Sequence, residues 1–129
     1  MENVDNLSPS VLAFVGDAVY GLYVRKHLAK VNRPSGKLRS LSVKLVCAPA
    51  QAKAYDIIKD SLSESETAVF KRGRNFHTGN CPKSATKGEY HTATGLECLF
   101  GYLCLSGKND RAEELFNKIV LQSPSDYLS

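Results

Sequence analysis

Two apolar stretches, each interrupted by a single acid, constrain this chain more than any other feature. Val11 to Val24 reads VLAFVGDAVYGLYV, and Asp17 is its only charged residue. Tyr90 to Gly107 reads YHTATGLECLFGYLCLSG, and Glu97 is its only acid. Segments that are apolar nearly all round are helices buried on most sides. A carboxylate in such a setting has to be paired, hydrogen-bonded, neutralised or bound to a metal. The same segments carry Gly16, Gly21, Gly95 and Gly101, so that a glycine follows each acid four positions on. Small residues let helices approach closely. That would allow the two helices to cross with their carboxylates near one another.

The rest of the chain also reads as helix. Ser8-Pro9 is an N-cap followed by proline at the first helical position. Val11, Val15, Ala18 and Leu22 then form one helical stripe, and the helix extends to about Ala29. Asn32 to Gly36 is a break. Leu38, Leu41, Leu45 and Val46 mark a second, basic amphipathic helix, and Pro49 opens a third that reaches about Ile58. Ser63-Glu64-Ser65-Glu66 is close to a capping box and opens a fourth helix, expected to end near Arg72-Gly73. Residues 73–88 read as a loop. A fifth helix is expected from about Glu89 to Leu105, stopped by Gly107, and a sixth from Asp110 to about Leu121. No strand alternation is present. The expected fold is all-α, one domain over 1–129, with its core at about 8–121 and a loose tail from Gln122.

Composition narrows the class. The 129 residues suit a single domain. No uncharged apolar run is long enough to span a membrane. Met1-Glu2-Asn3-Val4-Asp5 is unlike a signal or transit peptide, so a cytoplasmic protein is expected. The cysteines, at 47, 81, 98 and 104, include no CxxC pair. Plain reduced thiols are expected, with Cys98 and Cys104 as small core hydrophobes. The net charge is +4, but 14 of the 17 Lys and Arg and only 4 of the 13 Asp and Glu fall between Arg25 and Lys87. Such a block favours a polyanion partner, or is simply a solvated lysine-rich surface.

From the pattern alone, Asp17 and Glu97 have two readings. One is a divalent-metal site: Mg²⁺ takes oxygen ligands, keeps several waters and uses one or two protein carboxylates, and such an ion can activate water against a phosphodiester. The other is structural, each acid bonding an Arg, a backbone amide or a Tyr hydroxyl.

Phe14-Val15-Gly16-Asp17-Ala18-Val19 resembles the signature helix of the ribonuclease III family, whose Phe-Leu-Gly-Asp core carries a catalytic aspartate. Thr94-Gly95-Leu96-Glu97-Cys98-Leu99-Phe100-Gly101 resembles that family's second acidic helix. Lys71-Arg72-Gly73-Arg74-Asn75 followed by Pro82-Lys83 resembles mini-ribonuclease III in particular. The similarity covers about residues 8–121. There are two departures: Ala13 stands where ribonuclease III proper has a glutamate, and Thr94 where it has an aspartate. Mini-ribonuclease III shows a similar reduction. A separate double-stranded-RNA-binding domain is not expected.

The resemblance implies a homodimer with a catalytic valley and a bacterial, metal-dependent endonuclease acting on double-stranded RNA. The products would carry 5′-phosphate and 3′-hydroxyl ends, and the implied substrate is the large-subunit (23S) ribosomal RNA precursor. It makes Asp17 and Glu97 the catalytic metal ligands for Mg²⁺, with Mn²⁺ able to substitute and Thr94 a candidate through water. Lys71, Arg72, Arg74, Asn75, Lys83 and Lys87 become RNA contacts, since duplex RNA is gripped through phosphates and 2′-hydroxyls. Phe14, Val15, Val19, Leu22 and Tyr23 become the dimer contact as well as core. A ribosomal-protein helper is compatible with this scheme. His27, His77 and His91 are read as structural or surface residues, with His77 placed in the basic loop. The runner-up is an RNA-binding module that kept the nuclease fold without its activity.

Overall fold

The structure, a computed structural model, describes residues 3–76 and 81–123. Among these it holds six α-helices, two short 3₁₀ turns and no strand: α1 (Pro9–Ala29), α2 (Ser35–Val46), α3 (Ala48–Ile58), α4 (Glu64–Arg74), α5 (Lys87–Leu105) and α6 (Asn109–Gln122). His77 and the tail from 124 lie outside the described residues. No described helix is long and apolar enough to cross a membrane.

The caps explain the boundaries. Ser8 accepts from the Val11 amide, and Pro9 opens α1. Ser63 and Glu66 form a full capping box on α4. Thr86 and Glu89 form another on α5, which therefore starts at Lys87 rather than at Glu89. Gly107, at φ +74°, adopts the left-handed conformation that ends α5. Gly73 is not a stop. It lies inside α4, buried, where an added Cβ would collide with Cys98 and the Cα of Gly95. Its absent side chain serves helix packing, which a local reading of glycine as a breaker misses.

Helix α5 is the central element. Ala93, Gly95, Leu96, Cys98, Leu99, Phe100, Gly101 and Leu103 are all buried, and α1, α3, α4 and α6 pack around it. The main core joins Leu96, Leu99, Phe100 and Leu103 to Tyr20, Val24 and Leu28 of α1, Ile58 of α3, and Leu115, Phe116 and Ile119 of α6. Tyr20 meets the Phe100 and Phe116 rings edge-on at 5.2 and 5.6 Å. Tyr55 of α3 lies flat on Phe70 of α4, with ring centres 3.7 Å apart. Arg111 of α6 grips both oxygens of Glu66, at 2.9 and 3.0 Å, and the Ser61 carbonyl at 2.7 Å. This bidentate pair holds the Glu66 carboxyl below the usual carboxylate range, chiefly through the Arg111 hydrogen bond.

Helix α1 is not buried on most sides. Its buried stripe is Leu12, Gly16, Tyr20, Val24 and Leu28. Val11, Phe14, Ala18 and Leu22 face outward, and Val15 is half-buried. A helix that is apolar all round carries no periodic signal to say which face meets the core. All four cysteines are free thiols. Cys98 is fully buried and Cys104 partly so, as expected of small hydrophobes, while Cys47 and Cys81 are exposed.

Candidate active site

Helices α1 and α5 cross in backbone contact. A Cβ on Gly16 would fall on the Glu97 carbonyl, and one on Gly101 would fall on the Leu12 carbonyl and against the Gly16 amide. The crossing therefore uses one glycine from each helix, next to Asp17 in one case and one turn beyond Glu97 in the other. Gly21 takes no part, having nothing within 4 Å of where its Cβ would be. Gly95 serves a different contact, against the Phe70 ring and carbonyl of α4.

This crossing brings the two acids together. Asp17 is exposed and Glu97 half-buried. The Glu97 carboxyl is pushed up to about 8, first by burial, then by the Asp17 charge and by the hydrogen bond the two carboxyls share. Gln51 of α3 opposes the rise: its Nε2 donates to Glu97 Oε2 at 3.5 Å. Among the described residues no Lys or Arg forms an ion pair with Asp17 or Glu97. Two adjacent carboxyls without a cationic partner suit a hard divalent cation, which binds through one or two carboxylates and keeps its remaining ligands as water. Among the described residues no group of three or more His, Cys, Asp or Glu gathers to form a larger metal cage.

Thr94 lies one turn before Glu97, and its hydroxyl donates to the Tyr90 carbonyl at 3.0 Å. That bond takes its proton and leaves only lone pairs to offer a water. The neighbouring Cys98 thiol donates to the Pro9 carbonyl at 3.0 Å, and burial pushes it up to about 11, so it is an inert structural thiol.

The basic residues divide into two groups. Lys71, Lys83 and Lys87 are exposed. Arg72 donates to the Leu7 carbonyl at 3.0 Å. Arg74 lies over the Phe70 ring, 5.9 Å from its centre, and donates to Asn75 Oδ1 at 3.3 Å. The close contacts at Gly73 and Gly95 fix this basic end of α4 against α5, alongside the segment that carries Glu97. His91 faces the Arg74 carbonyl, with Nδ1 at 3.2 Å, and so belongs to the α4–α5 contact.

Of the α1 residues expected at a dimer contact, Phe14 is 81% exposed and Leu22 56%. Val19 and Tyr23 pack on the chain's own core, with Tyr23 against the Phe100 and Phe116 rings. Val11, at 42% exposed, joins the outward apolar group. Gln51 was not anticipated. A lone glutamine between alanines on a short helix carries no sequence signal until its neighbour in space is known.

A single helical domain that pairs two carboxyls beside a basic helix end has the parts of a phosphodiester-cleaving nuclease. The ribonuclease III domain model matches residues 10–108, which include Asp17 and Glu97. The chain belongs to the ribonuclease III family of endoribonucleases, within its mini-ribonuclease III branch. It is 46% identical over 120 residues to a mini-ribonuclease 3 of Thermoanaerobacter sp. (strain X514), covering 92% of this chain and 84% of that one. It is 35% identical over 121 residues to a mini-ribonuclease 3 of Clostridium tetani, covering 92% and 80%. A crystal structure of a protein from Fusobacterium nucleatum matches with a TM-score of 0.84 at 29% identity, over 95% of this chain and 98% of that one.

Proposed function

We propose that this chain hydrolyses double-stranded RNA with a divalent cation, Mg²⁺ or Mn²⁺, held by Asp17 and Glu97. The observation that carries the reading is the meeting of two carboxyls across the Gly16–Gly101 crossing, with no ion pair from Lys or Arg to either acid among the described residues. When bound, the cation would stabilise charge at the phosphodiester and lower the pKa of water, so that hydroxide becomes available as the nucleophile. The protein's part is to hold two oxygen donors at a fixed separation on two helices locked backbone to backbone. Lys71, Lys83 and Lys87 are exposed and can reach phosphates, and Arg72, Arg74 and Asn75 stand at the C-terminal end of α4. We place the substrate in the precursor of large-subunit ribosomal RNA and the protein in the bacterial cytoplasm, following the relatives' family.

The test is cleavage of a long perfect RNA duplex with Mg²⁺, with Mn²⁺ and with chelator, against single-stranded RNA of the same sequence. Duplex cuts that vanish in chelator are the expected result. Binding without cutting in either metal, on structured ribosomal RNA as well, would make the chain an RNA-binding module.

The working unit in this reading is a homodimer joined through the outward face of α1. Phe14 supports it: a phenylalanine 81% exposed beside exposed Val11 and Leu22 is an apolar group seeking cover. Phe14→Asp should leave the monomer's stability within about 0.5 kcal/mol of wild type, as surface changes do. It should weaken self-association by at least about a hundredfold, because a charge would be buried in the joint. Sedimentation equilibrium reads both states, and a wild-type chain that stays monomeric at high concentration would refute the dimer.

A further inference from the structure

We propose that Gln51 is a positioning residue for this site: a buried amide that reaches from α3 to hold the Glu97 carboxylate ready, with Asp17, for a divalent cation. The inference rests on the metal-dependent reading above.

Gln51 occupies a core position. The buried residues of α3 are Gln51, Ala54 and Ile58, one stripe along the helix. An apolar side chain is what such a stripe ordinarily carries. Gln51 is 1% exposed, and its amide oxygen meets no donor among the described residues. Its amide nitrogen makes a bond to Glu97 Oε2, at 3.5 Å. A buried polar atom left without a partner costs about 1–3 kcal/mol. Folding therefore gains little from an amide here, and leucine or methionine would fill much the same volume without that loss. What the amide provides is a donor aimed at the acid.

The chemistry of that donor fits the task. A lysine in the same place would form an ion pair and compete with a metal for the carboxylate. A neutral amide steadies one carboxylate oxygen and leaves the charge available. Glu97 has three side-chain torsions to fix before it can act as a ligand, and outer partners of metal ligands commonly do this. The site then draws on three helices: α1 for Asp17, α5 for Glu97 and α3 for its orientation. The Tyr55–Phe70 stack, one turn beyond Gln51 on α3, ties that helix to α4.

The experiment compares wild type, Gln51→Met, Gln51→Leu and Glu97→Gln as full chains. Mn²⁺ binding is followed by electron paramagnetic resonance of the free ion, and stability by thermal unfolding in chelator. Both Gln51 variants are expected to keep a Tm equal to or above that of wild type while binding Mn²⁺ about 10–100-fold more weakly. The Mg²⁺ concentration for half-maximal cleavage should rise by a similar factor, with the rate at saturating Mg²⁺ largely restored. A residue that merely supports the fold would move the Tm and not the ion's affinity. Wild-type Mn²⁺ affinity in both variants, with Glu97→Gln impaired, would overturn this inference alone, as would loss of folding in both. Wild-type binding no tighter than that of Glu97→Gln would overturn the metal reading and this inference with it.

Discussion

Asp17→Asn is expected to lower duplex cleavage by on the order of a thousandfold, the scale of one preorganised electrostatic group. It should also make the metal-free protein more stable than wild type at alkaline pH. The substitution keeps the side chain's shape on an exposed position of α1, so nothing in the packing is disturbed. It removes a cation ligand and, in the apo protein, a source of repulsion. The Glu97 carboxyl sits at about 8 in the folded chain, against about 4.3 when unfolded. Between those values the folded protein holds a proton that the unfolded chain has released. Stability therefore falls as pH rises through that window, and the loss is complete above about pH 8. Burial is the larger cause and remains in the variant. Asp17 supplies the next two causes, its charge and its hydrogen bond, and both weaken on substitution. Unfolding in chelator should thus show variant and wild type alike near pH 5.5, and the variant higher near pH 8.5. A variant equally destabilised at both pH values would mean that Asp17 is structural.

Much of this arrangement was legible in the chain because the acids stand alone. The acid in YHTATGLECLFGYLCLSG is held in a largely buried setting, as its apolar neighbours foretold, whereas Asp17 lies on an exposed face of α1 and is brought to Glu97 by the crossing. The helix starts were legible for a local cause: Ser8-Pro9 and the Ser63–Glu66 box act through atoms three residues apart. What stayed hidden depends on contacts between distant segments. Gly73 looked like a terminator and is a packing contact to Cys98 and Gly95. Gly21 looked like half of the crossing and faces open space, while Gly16, directly before the acid, makes the contact. The stripe Val11, Val15, Ala18 and Leu22 had helical spacing, yet the core took Leu12, Gly16, Tyr20 and Val24. When nearly every face of a helix is apolar, spacing alone does not choose among them. Gln51 is the extreme case, since its meaning lies wholly in Glu97, 46 positions away.

Gly16→Ala should be the most damaging single-methyl change in the chain. An ordinary overpacked core side chain costs about 1–3 kcal/mol, because neighbours rotate or shift aside. Here the added carbon meets the carbonyl, carbonyl carbon and Cα of Glu97, which are backbone atoms of the most buried helix and have no rotamer to change. The two helices have to separate, and the Gly101 contact with the Leu12 carbonyl opens with them. A cost of about 3–5 kcal/mol is expected, a large part of the 5–15 kcal/mol that holds a domain of this size, or a fall in Tm of roughly 10–20 °C. Whatever fraction stays folded should also cut poorly, since moving α1 from α5 moves Asp17 from Glu97. Gly21→Ala is the matched control. It lies on the same helix five residues on, meets nothing within 4 Å, and should raise stability by about 0.5–1 kcal/mol through helix propensity. Thermal unfolding of the two variants separates the explanations. If both lose stability alike, glycine matters to α1 through its backbone freedom. If only Gly16→Ala collapses, glycine matters there because Glu97 occupies the space.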